Sequence, residues 1–177
     1  GEAARADAHR LRAEMDAVIV GAGTVRHDDP LLTVRLPDYD GPQPRAVVVA
    51  GSGPLPPDAR IRTRDPLIYR PGNPRNEAEI AVGGDGRAEP AAVLQDLGER
   101  GLLAVMIEGG PALAGSFVRA GLVDRLVWYA GARLAAGRGL PAIAGDFPVL
   151  AAAKRIHITS VRRIGADVRI DGLFEKE

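Results

Sequence analysis

The stretch that decides the fold is Asp16-Ala17-Val18-Ile19-Val20-Gly21-Ala22-Gly23-Thr24-Val25. Its apolar residues 17–20 follow one another without polar interruption, which is typical of a strand buried on both faces of a parallel sheet. The glycines that follow predict a tight turn. In a parallel sheet such turns lie at the carboxyl ends of the strands, where ligands bind. The stretch therefore predicts a buried strand that leads into a candidate ligand-binding turn.

On either side of this stretch, apolar strands alternate with helices. Helices are predicted over residues 2–15, over 90–100 and from Pro111 onward, and strands over 46–49, 67–69, 80–82, 102–107, 126–129, 156–161 and 168–170. This alternation indicates one α/β domain spanning residues 1–177, with a mostly parallel central sheet and an antiparallel pair of strands at the C-terminus. Residues 135–148 are expected to form a long irregular excursion.

Composition and charge exclude several classes of function. The 177 residues are 46% hydrophobic and carry 23 basic and 23 acidic side chains, so the formal net charge is zero. This balance argues against nucleic acid or an acidic membrane surface as a partner. Cysteine is absent and the three histidines lack metal-ligand spacing, so we expect neither disulfides nor a metal site. With no secretory signal and no apolar run long enough to span a bilayer, the cytoplasm is the expected compartment.

A second candidate turn is Glu108-Gly109-Gly110-Pro111, which joins an apolar strand to a predicted helix. A helix N-terminus offers backbone N–H groups and a partial positive charge, which together form an anion site. Close packing of the strand on the helix would also favour glycine here. Glu108 favours the ligand site, since a carboxylate at the end of an apolar strand is costly to bury without a partner.

Two further motifs leave alternatives open. After Gly21 and Gly23, Arg26 stands where a dinucleotide-binding fingerprint has its third glycine, so a plain tight turn is at least as good an interpretation. Arg35 ends the run Asp28-Asp29-Pro30-Leu31-Leu32-Thr33-Val34-Arg35. It could clamp a phosphate through two hydrogen bonds, or it could be a solvated surface charge, and its spacing does not decide between them.

In this order and spacing, the segments resemble the reductase domain of the bacterial bifunctional riboflavin-biosynthesis deaminase/reductase. The matching runs are residues 8–13, 16–25, 28–35, 108–116, 120–124 and 165–170, which extend over nearly the whole chain. The resemblance implies a dihydrofolate-reductase-like fold with three α/β/α layers and a mostly parallel central sheet. It also implies that the chain forms a homodimer.

The activity that the resemblance implies is that of an NADPH-dependent oxidoreductase. It would reduce 5-amino-6-(5-phosphoribosylamino)uracil, a phosphorylated pyrimidine, to 5-amino-6-(5-phosphoribitylamino)uracil by hydride transfer to C1′ of the ribose. One alternative substrate is 2,5-diamino-6-ribosylamino-pyrimidinone 5′-phosphate, the pyrimidine before deamination. Another alternative is a non-catalytic dimerisation or scaffold member of the fold, which the joint presence of Arg12, Arg35 and Glu108 argues against.

The resemblance also assigns roles to individual residues. Arg12, Leu32, Arg35 and Glu108 match residues that contact the substrate, and Glu108 is the candidate catalytic residue. The positions that match cofactor contacts are Thr24, Asp28, Gly51, Ser52, Gly110, Pro111, Ala112, Leu113, Ala114, Gly115 and Ser116. The run Gly110–Ser116 matches the turn and helix start that hold the NADPH pyrophosphate.

The sequence departs from the family pattern at its amino terminus. The family places a strand and a glycine-containing hairpin ahead of the helix that opens this chain, and a deaminase domain further upstream. A missing central strand would expose a sheet edge, so we expect another segment to cover it. The zinc motif of the deaminase requires cysteine, so this chain is not expected to deaminate.

Overall fold

The computed structural model describes residues 1–74, 76, 78–83, 86–133, 139, 141–145 and 153–175. The helices in these ranges are α1 (Glu2–Ala13), α2 (Ala22–Asp28), α3 (Pro90–Glu99) and α4 (Pro111–Arg119), with a 3-10 turn at Arg60–Arg64. The strands are β1 (Ala17–Gly21), β2 (Arg45–Val49), β3 (Leu67–Arg70), β4 (Glu79–Ala81), β5 (Val105–Ile107), β6 (Arg125–Ala130), β7 (Ile156–Ile164) and β8 (Asp167–Phe174). None of the described helices is long and apolar enough to cross a membrane.

The first sheet is entirely parallel and has the strand order β4-β3-β2-β1-β5. β1 lies between β2 and β5, and its residues 17–20 are at most 1% exposed. This burial confirms that the continuous apolar run is a strand covered on both faces. Parallel sheets are normally covered in this way, since layers of helix and loop flank them on each side.

Two apolar clusters cover the two faces of this sheet. On one face Val18, Val20 and Val48 pack with Val25 of α2 and Ile61 of the 3-10 turn. On the opposite face, the sheet residues Ile19, Val47 and Tyr69 pack with Val93 and Leu97 of α3 and Phe117 of α4. Alternate residues of β1 therefore belong to different clusters, and the expected three-layer α/β/α arrangement is confirmed.

The second sheet is antiparallel and has the order β6-β8-β7. The antiparallel pair predicted at the C-terminus is confirmed as β7 and β8, and β6 adds a third strand. Residues paired across strands share a face, so Trp128, Ile170 and Val161 form one apolar row. Trp128 is 39% exposed and Val161 is 63% exposed, so this face is partly open to solvent.

No described strand joins the two sheets. β5 pairs only with β1 and β6 pairs only with β8, so each has one edge without a strand partner within the described ranges. Residues 105–107 of β5 are only half-buried, in contrast to β1 beside them. No described strand pairs with this edge of β5, so the expectation that another segment covers it stays a prediction.

The structure corrects two local predictions. Residues 22–28 form a helix where a tight turn was expected, because Ala22 and Val25, three residues apart, both enter the core. The strand predicted over 102–107 begins only at Val105. Asp16 accounts for this delay, since its Oδ2 accepts hydrogen bonds of 2.8 Å from the amides of residues 103 and 104 and so takes the place of strand pairing there. Most of the excursion predicted over 135–148 lies outside the described residues.

A buried network of charges connects α1 to the second sheet. Asp7 Oδ2 accepts hydrogen bonds of 2.6 Å from the Tyr129 hydroxyl and from Arg169 Nη1. Arg169 also donates to both carboxylate oxygens of Asp171, at 2.9 and 2.6 Å, and Arg125 donates to the same carboxylate at 2.6 Å. These hydrogen bonds from Arg169, with a smaller contribution from Arg125, lower the pKa of Asp171 to about 2 although burial opposes the shift.

This pKa predicts an acid-dependent loss of stability. Because the pKa of Asp171 is lower in the folded chain than the ordinary value of 3.8, the ionised group stabilises the fold above about pH 4. That contribution, roughly 2 kcal/mol, is lost as the pH falls from about 4 towards about 2. Urea unfolding between pH 2 and pH 5 is expected to show a shallower dependence on pH in the Asp171→Asn variant than in the wild type.

The matched control is Asp65→Asn, since the Asp65 side chain is 90% exposed. This variant is expected to keep the wild-type dependence on pH. If Asp171→Asn also kept it, the network would not stabilise the fold through the ionised Asp171.

Candidate active site

Three candidate segments leave adjacent strands at the same edge of the first sheet. Gly21 at the end of β1 pairs with Val49 at the end of β2, and Ile19 pairs with Ile107 at the end of β5. Neighbouring strands are about 4.8 Å apart. The turn after β1, the segment Gly51–Ser52 after β2 and the segment after β5 that begins with Glu108 therefore share one carboxyl edge, where α/β sheets bind ligands.

The turn after β5 brings the start of α4 against the start of α2. Gly110 is the N-cap of α4, and no side chain caps the helix. A Cβ on Gly110 would lie 3.8 Å from Thr24 Oγ1 of α2 and would meet no other atom within 4 Å, so there is space beside this residue. A Cβ on Gly109 would lie 2.3 Å from Leu113 Cδ2 and 3.1 Å from Leu113 Cβ, so a side chain there would have to displace Leu113 and packing favours glycine. Of the two explanations considered for this turn, packing accounts for Gly109, whereas Gly110 is left open to a ligand.

Arg12 and Glu108 form an ion pair at this edge. Arg12 Nε donates to Glu108 Oε1 at 2.9 Å, and Arg12 Nη2 donates to Glu108 Oε2. Arg12 Nη1 donates to the Thr33 carbonyl at 2.6 Å. The two side chains are 12% and 22% exposed, so the carboxylate at the end of β5 has the partner that its position requires. Through its contacts with Glu108 and Thr33, Arg12 brings together three motifs that are far apart in the sequence.

The segment 29–35 is held in an irregular conformation beside this pair. Leu32 is buried with φ +54°, a left-handed value that disfavours leucine. Gln43 compensates by exchanging two hydrogen bonds with the Val34 backbone, at 2.7 and 3.3 Å. Arg64 adds a hydrogen bond of 3.0 Å to the Leu31 carbonyl. The segment is thus fixed by side chains from elsewhere in the chain.

His9 lies beside the segment 29–35, and the sequence did not single it out as a candidate. Its Nδ1 accepts a hydrogen bond of 3.2 Å from the Arg35 backbone N–H, so α1 contacts the segment at two points, through His9 and through Arg12. Burial lowers the pKa of His9, and the positive charges of Arg12 and Arg35 lower it further. The one signal in the sequence that could have pointed to His9 is its spacing, because it lies one helical turn before Arg12 on the same face of α1.

Arg35 presents its side chain to solvent. The residue is exposed, and among the described residues its guanidinium has no hydrogen bond or ion pair. Arg12 differs, because Glu108 and Thr33 together engage its Nε and both of its terminal nitrogens. Of the two arginines that the resemblance assigns to the substrate, Arg35 is therefore the one whose guanidinium remains available to an anionic group.

The predicted cofactor residues divide into open and packed positions. Gly51, Ser52 and Asp28 are exposed, and Asp28 lies one turn after Thr24 on α2. Along α4, residues 110–112, 114 and 116 are half-buried or exposed, whereas Leu113 and Gly115 are buried. A Cβ on Gly115 would overlap the Ala144 carbonyl, at 1.7 Å, so glycine is required there by chain packing. The structure thus places the first turn of α4 at the open edge and directs Leu113 and Gly115 into the protein.

No group of three or more His, Cys, Asp or Glu side chains suited to a metal ion occurs among the described residues.

The sequence and the fold are similar to those of known proteins. The chain is 39% identical to the riboflavin biosynthesis protein RibD of Mycobacterium tuberculosis over 94% of its length, but it spans only 45% of that relative. It is 33% identical to the 2,5-diamino-6-ribosylamino-4(3H)-pyrimidinone 5′-phosphate reductase of Archaeoglobus fulgidus, over 94% of this chain and 83% of that protein. The structure of Acinetobacter baumannii RibD, form 2, matches with a TM-score of 0.86 and 28% identity, over 99% of this chain and 51% of that chain.

The chain therefore spans about half the length of the RibD proteins that it matches. The structural match confirms the dihydrofolate-reductase-like α/β fold that the resemblance implied. The sequence model of the RibD C-terminal domain family matches residues 1–170, nearly the whole chain. The chain belongs to the RibD C-terminal domain family.

Proposed function

We propose that this chain is an NADPH-dependent reductase domain of riboflavin biosynthesis that acts on a phosphorylated ribosylaminopyrimidine. The observation that carries the proposal is the contact of Arg12 with Glu108 and Thr33, beside the uncapped start of α4. These residues come from three separate motifs, and the fold brings them to the edge where α/β sheets bind ligands. The names of the relatives support a reductase of this pathway.

The residues at the edge fit a dinucleotide cofactor. The first backbone N–H groups of α4 face the space beside Gly110, and a helix N-terminus without a side-chain cap stabilises a phosphate. Thr24 of α2 lies beside this space. Asp28 lies one turn further along α2, and Gly51 and Ser52 follow the end of β2 at the same edge of the sheet. When bound, the cofactor would supply the hydride that reduces C1′ of the ribose.

The substrate would lie between α1, the segment 29–35 and the end of β5. Arg35 would bind its phosphate through a charge-assisted contact, Leu32 would line the pocket, and Arg12 would hold Glu108 in place against the reacting end. We propose the deaminated pyrimidine, 5-amino-6-(5-phosphoribosylamino)uracil, as substrate. The diamino pyrimidinone phosphate is the second candidate, favoured by the similarity to the A. fulgidus reductase. The proposed compartment is the cytoplasm.

The first experiment is a fluorescence titration of the chain with NADPH and, as control, NADH. We expect a micromolar dissociation constant for NADPH and binding of NADH that is weaker by about tenfold or more. Turnover assays with both pyrimidines would then identify the substrate. A folded chain that binds neither nucleotide would contradict the proposal and favour the scaffold alternative.

The site predicts a kinetic separation between two variants. Glu108→Gln keeps an oxygen that can accept from Arg12 but removes the negative charge, so kcat is expected to fall by at least about tenfold with little change in NADPH affinity. Arg35→Ala is expected to raise KM for the substrate by about one to two orders of magnitude, since a charge-assisted contact is worth roughly 1.5–3 kcal/mol. Steady-state kinetics and the nucleotide titration measure both effects.

The control variants are Glu99→Gln on α3 and Arg163→Ala on β7, both at exposed positions away from the edge. They are expected to keep wild-type kinetics. Equal losses of NADPH affinity and turnover in Glu108→Gln would contradict the contact of Glu108 with the substrate. An unchanged KM in Arg35→Ala would show that Arg35 is a surface charge that does not bind the substrate.

We propose further that the chain is a homodimer. The row formed by Trp128, Ile170 and Val161 supports this, because an exposed apolar sheet face is a common feature of subunit interfaces. Sedimentation velocity is expected to give the mass of a dimer for the wild type and that of a monomer for Val161→Glu. A monomeric wild type at micromolar concentration would contradict this proposal.

A further inference from the structure

Arg70 is a buried charged residue that neither the motifs nor the resemblance singled out. It is the last residue of β3 and only 3% exposed. β3 lies between β2 and β4, so the side chain sits at the carboxyl edge of the first sheet. Arginine is rarely buried to this degree without partners that occupy its guanidinium.

The contacts of Arg70 lead to the segment after β2. Its Nη1 donates to the Gly51 carbonyl at 2.7 Å and to the Gly53 carbonyl at 2.8 Å. Its Nε lies 2.6 Å from Glu79 Oε1, and the Glu79 side chain at the start of β4 is 4% exposed. One guanidinium thus connects the exposed segment 51–53 to a buried carboxylate two strands away.

The glycines of this segment are not explained by packing or by backbone conformation. A Cβ on Gly51 or on Gly53 would meet nothing within 4 Å. Neither residue is among the glycines with positive φ. Glycine at these positions also permits another group to approach the backbone closely, and at this edge of the sheet a ligand is the group that would do so.

The ion pair itself also calls for an explanation. A buried pair of charges is weak as a source of stability, because removing both ions from water costs about as much as their attraction returns. Two well-packed apolar side chains would hold β3 and β4 together as well. What they could not do is bind the two carbonyl oxygens and keep the segment in one conformation.

We propose that Arg70 is a positioning residue that holds segment 51–53 in the conformation in which its backbone receives a phosphate of a dinucleotide. This rests on the proposed function. The segment leaves β2, which is two strands from β5 and the start of α4, a separation of about 10 Å. A dinucleotide bound at α4 would span that distance. A segment that is already ordered binds more tightly, since less conformational entropy is lost on binding.

The test compares nucleotide binding in the wild type and in the double variant Arg70→Met/Glu79→Met. The double change removes both charges and leaves no uncompensated ion in the core. We expect the variant to remain folded and its dissociation constant for NADPH to rise about tenfold. A loss confined to NADPH would identify the 2′-phosphate as the bound group, and an equal loss for NADH would identify the pyrophosphate.

Two further variants make the result specific. Arg45→Met/Asp65→Met removes an ion pair at the amino end of the same strand β2 and is expected to leave both affinities unchanged. Arg70→Lys keeps the charge but lacks the planar guanidinium that reaches Glu79 through Nε and both carbonyls through Nη1, so its NADPH affinity is expected to fall between those of the other two variants. Amide hydrogen exchange at Ser52, measured without nucleotide, is expected to be faster in both Arg70 variants.

Unchanged affinities and unchanged Ser52 exchange in the folded Arg70 variants would overturn this inference and leave the proposed function standing. If the double variant does not fold, Arg70→Lys decides alone, by the same two measurements. A folded wild type that binds neither NADPH nor NADH would overturn the proposed function and the role of Arg70 with it.

Discussion

The contacts made by α1 are the constraint on which the rest of the structure depends. Within the described residues, no strand pairing joins the two sheets. Instead Asp7, near the start of α1, binds Tyr129 and Arg169 of the second sheet, and Arg12, near its end, binds Glu108 after β5 of the first. One helix thus contacts both sheets, and the candidate active site lies where that helix meets the first sheet.

Much of the fold could be predicted from the sequence because its signals are local. The apolar run 17–20 and the proline that opens α4 identify their elements from a few neighbouring residues. The helix at 22–28 was missed because two glycines nearby outweighed the spacing of Ala22 and Val25, which only the core on that side of the sheet makes decisive. The late start of β5 was missed because it depends on Asp16, a side chain distant in sequence.

The residues of the candidate site divide in the same way, into those with a local signal in the sequence and those without one. Glu108, Arg12 and Gly110 are predictable from motifs, and the structure brings them to one edge. Their mutual pairing is not predictable from the sequence. In the structure Glu108 and Thr33 engage Arg12, whereas the Arg35 guanidinium has no such contact among the described residues. The pairing therefore changes which arginine is available to bind an anionic group. His9 and Arg70 were missed because each acts through a backbone group of another segment. No pattern of residue types records such contacts, which arise only when the chain is folded.

The strand order of the first sheet also bears on how the chain is assembled during synthesis. β1 gains β2 as a neighbour soon after it is made, but its other partner, β5, emerges from the ribosome roughly 90 residues later, a delay of about 4 to 18 seconds at typical rates. During that time one edge of the Ala-Val-Ile-Val strand has no partner, and unpaired apolar edges promote aggregation. A nascent chain that stalls before Ile107 would therefore be a natural client for a chaperone.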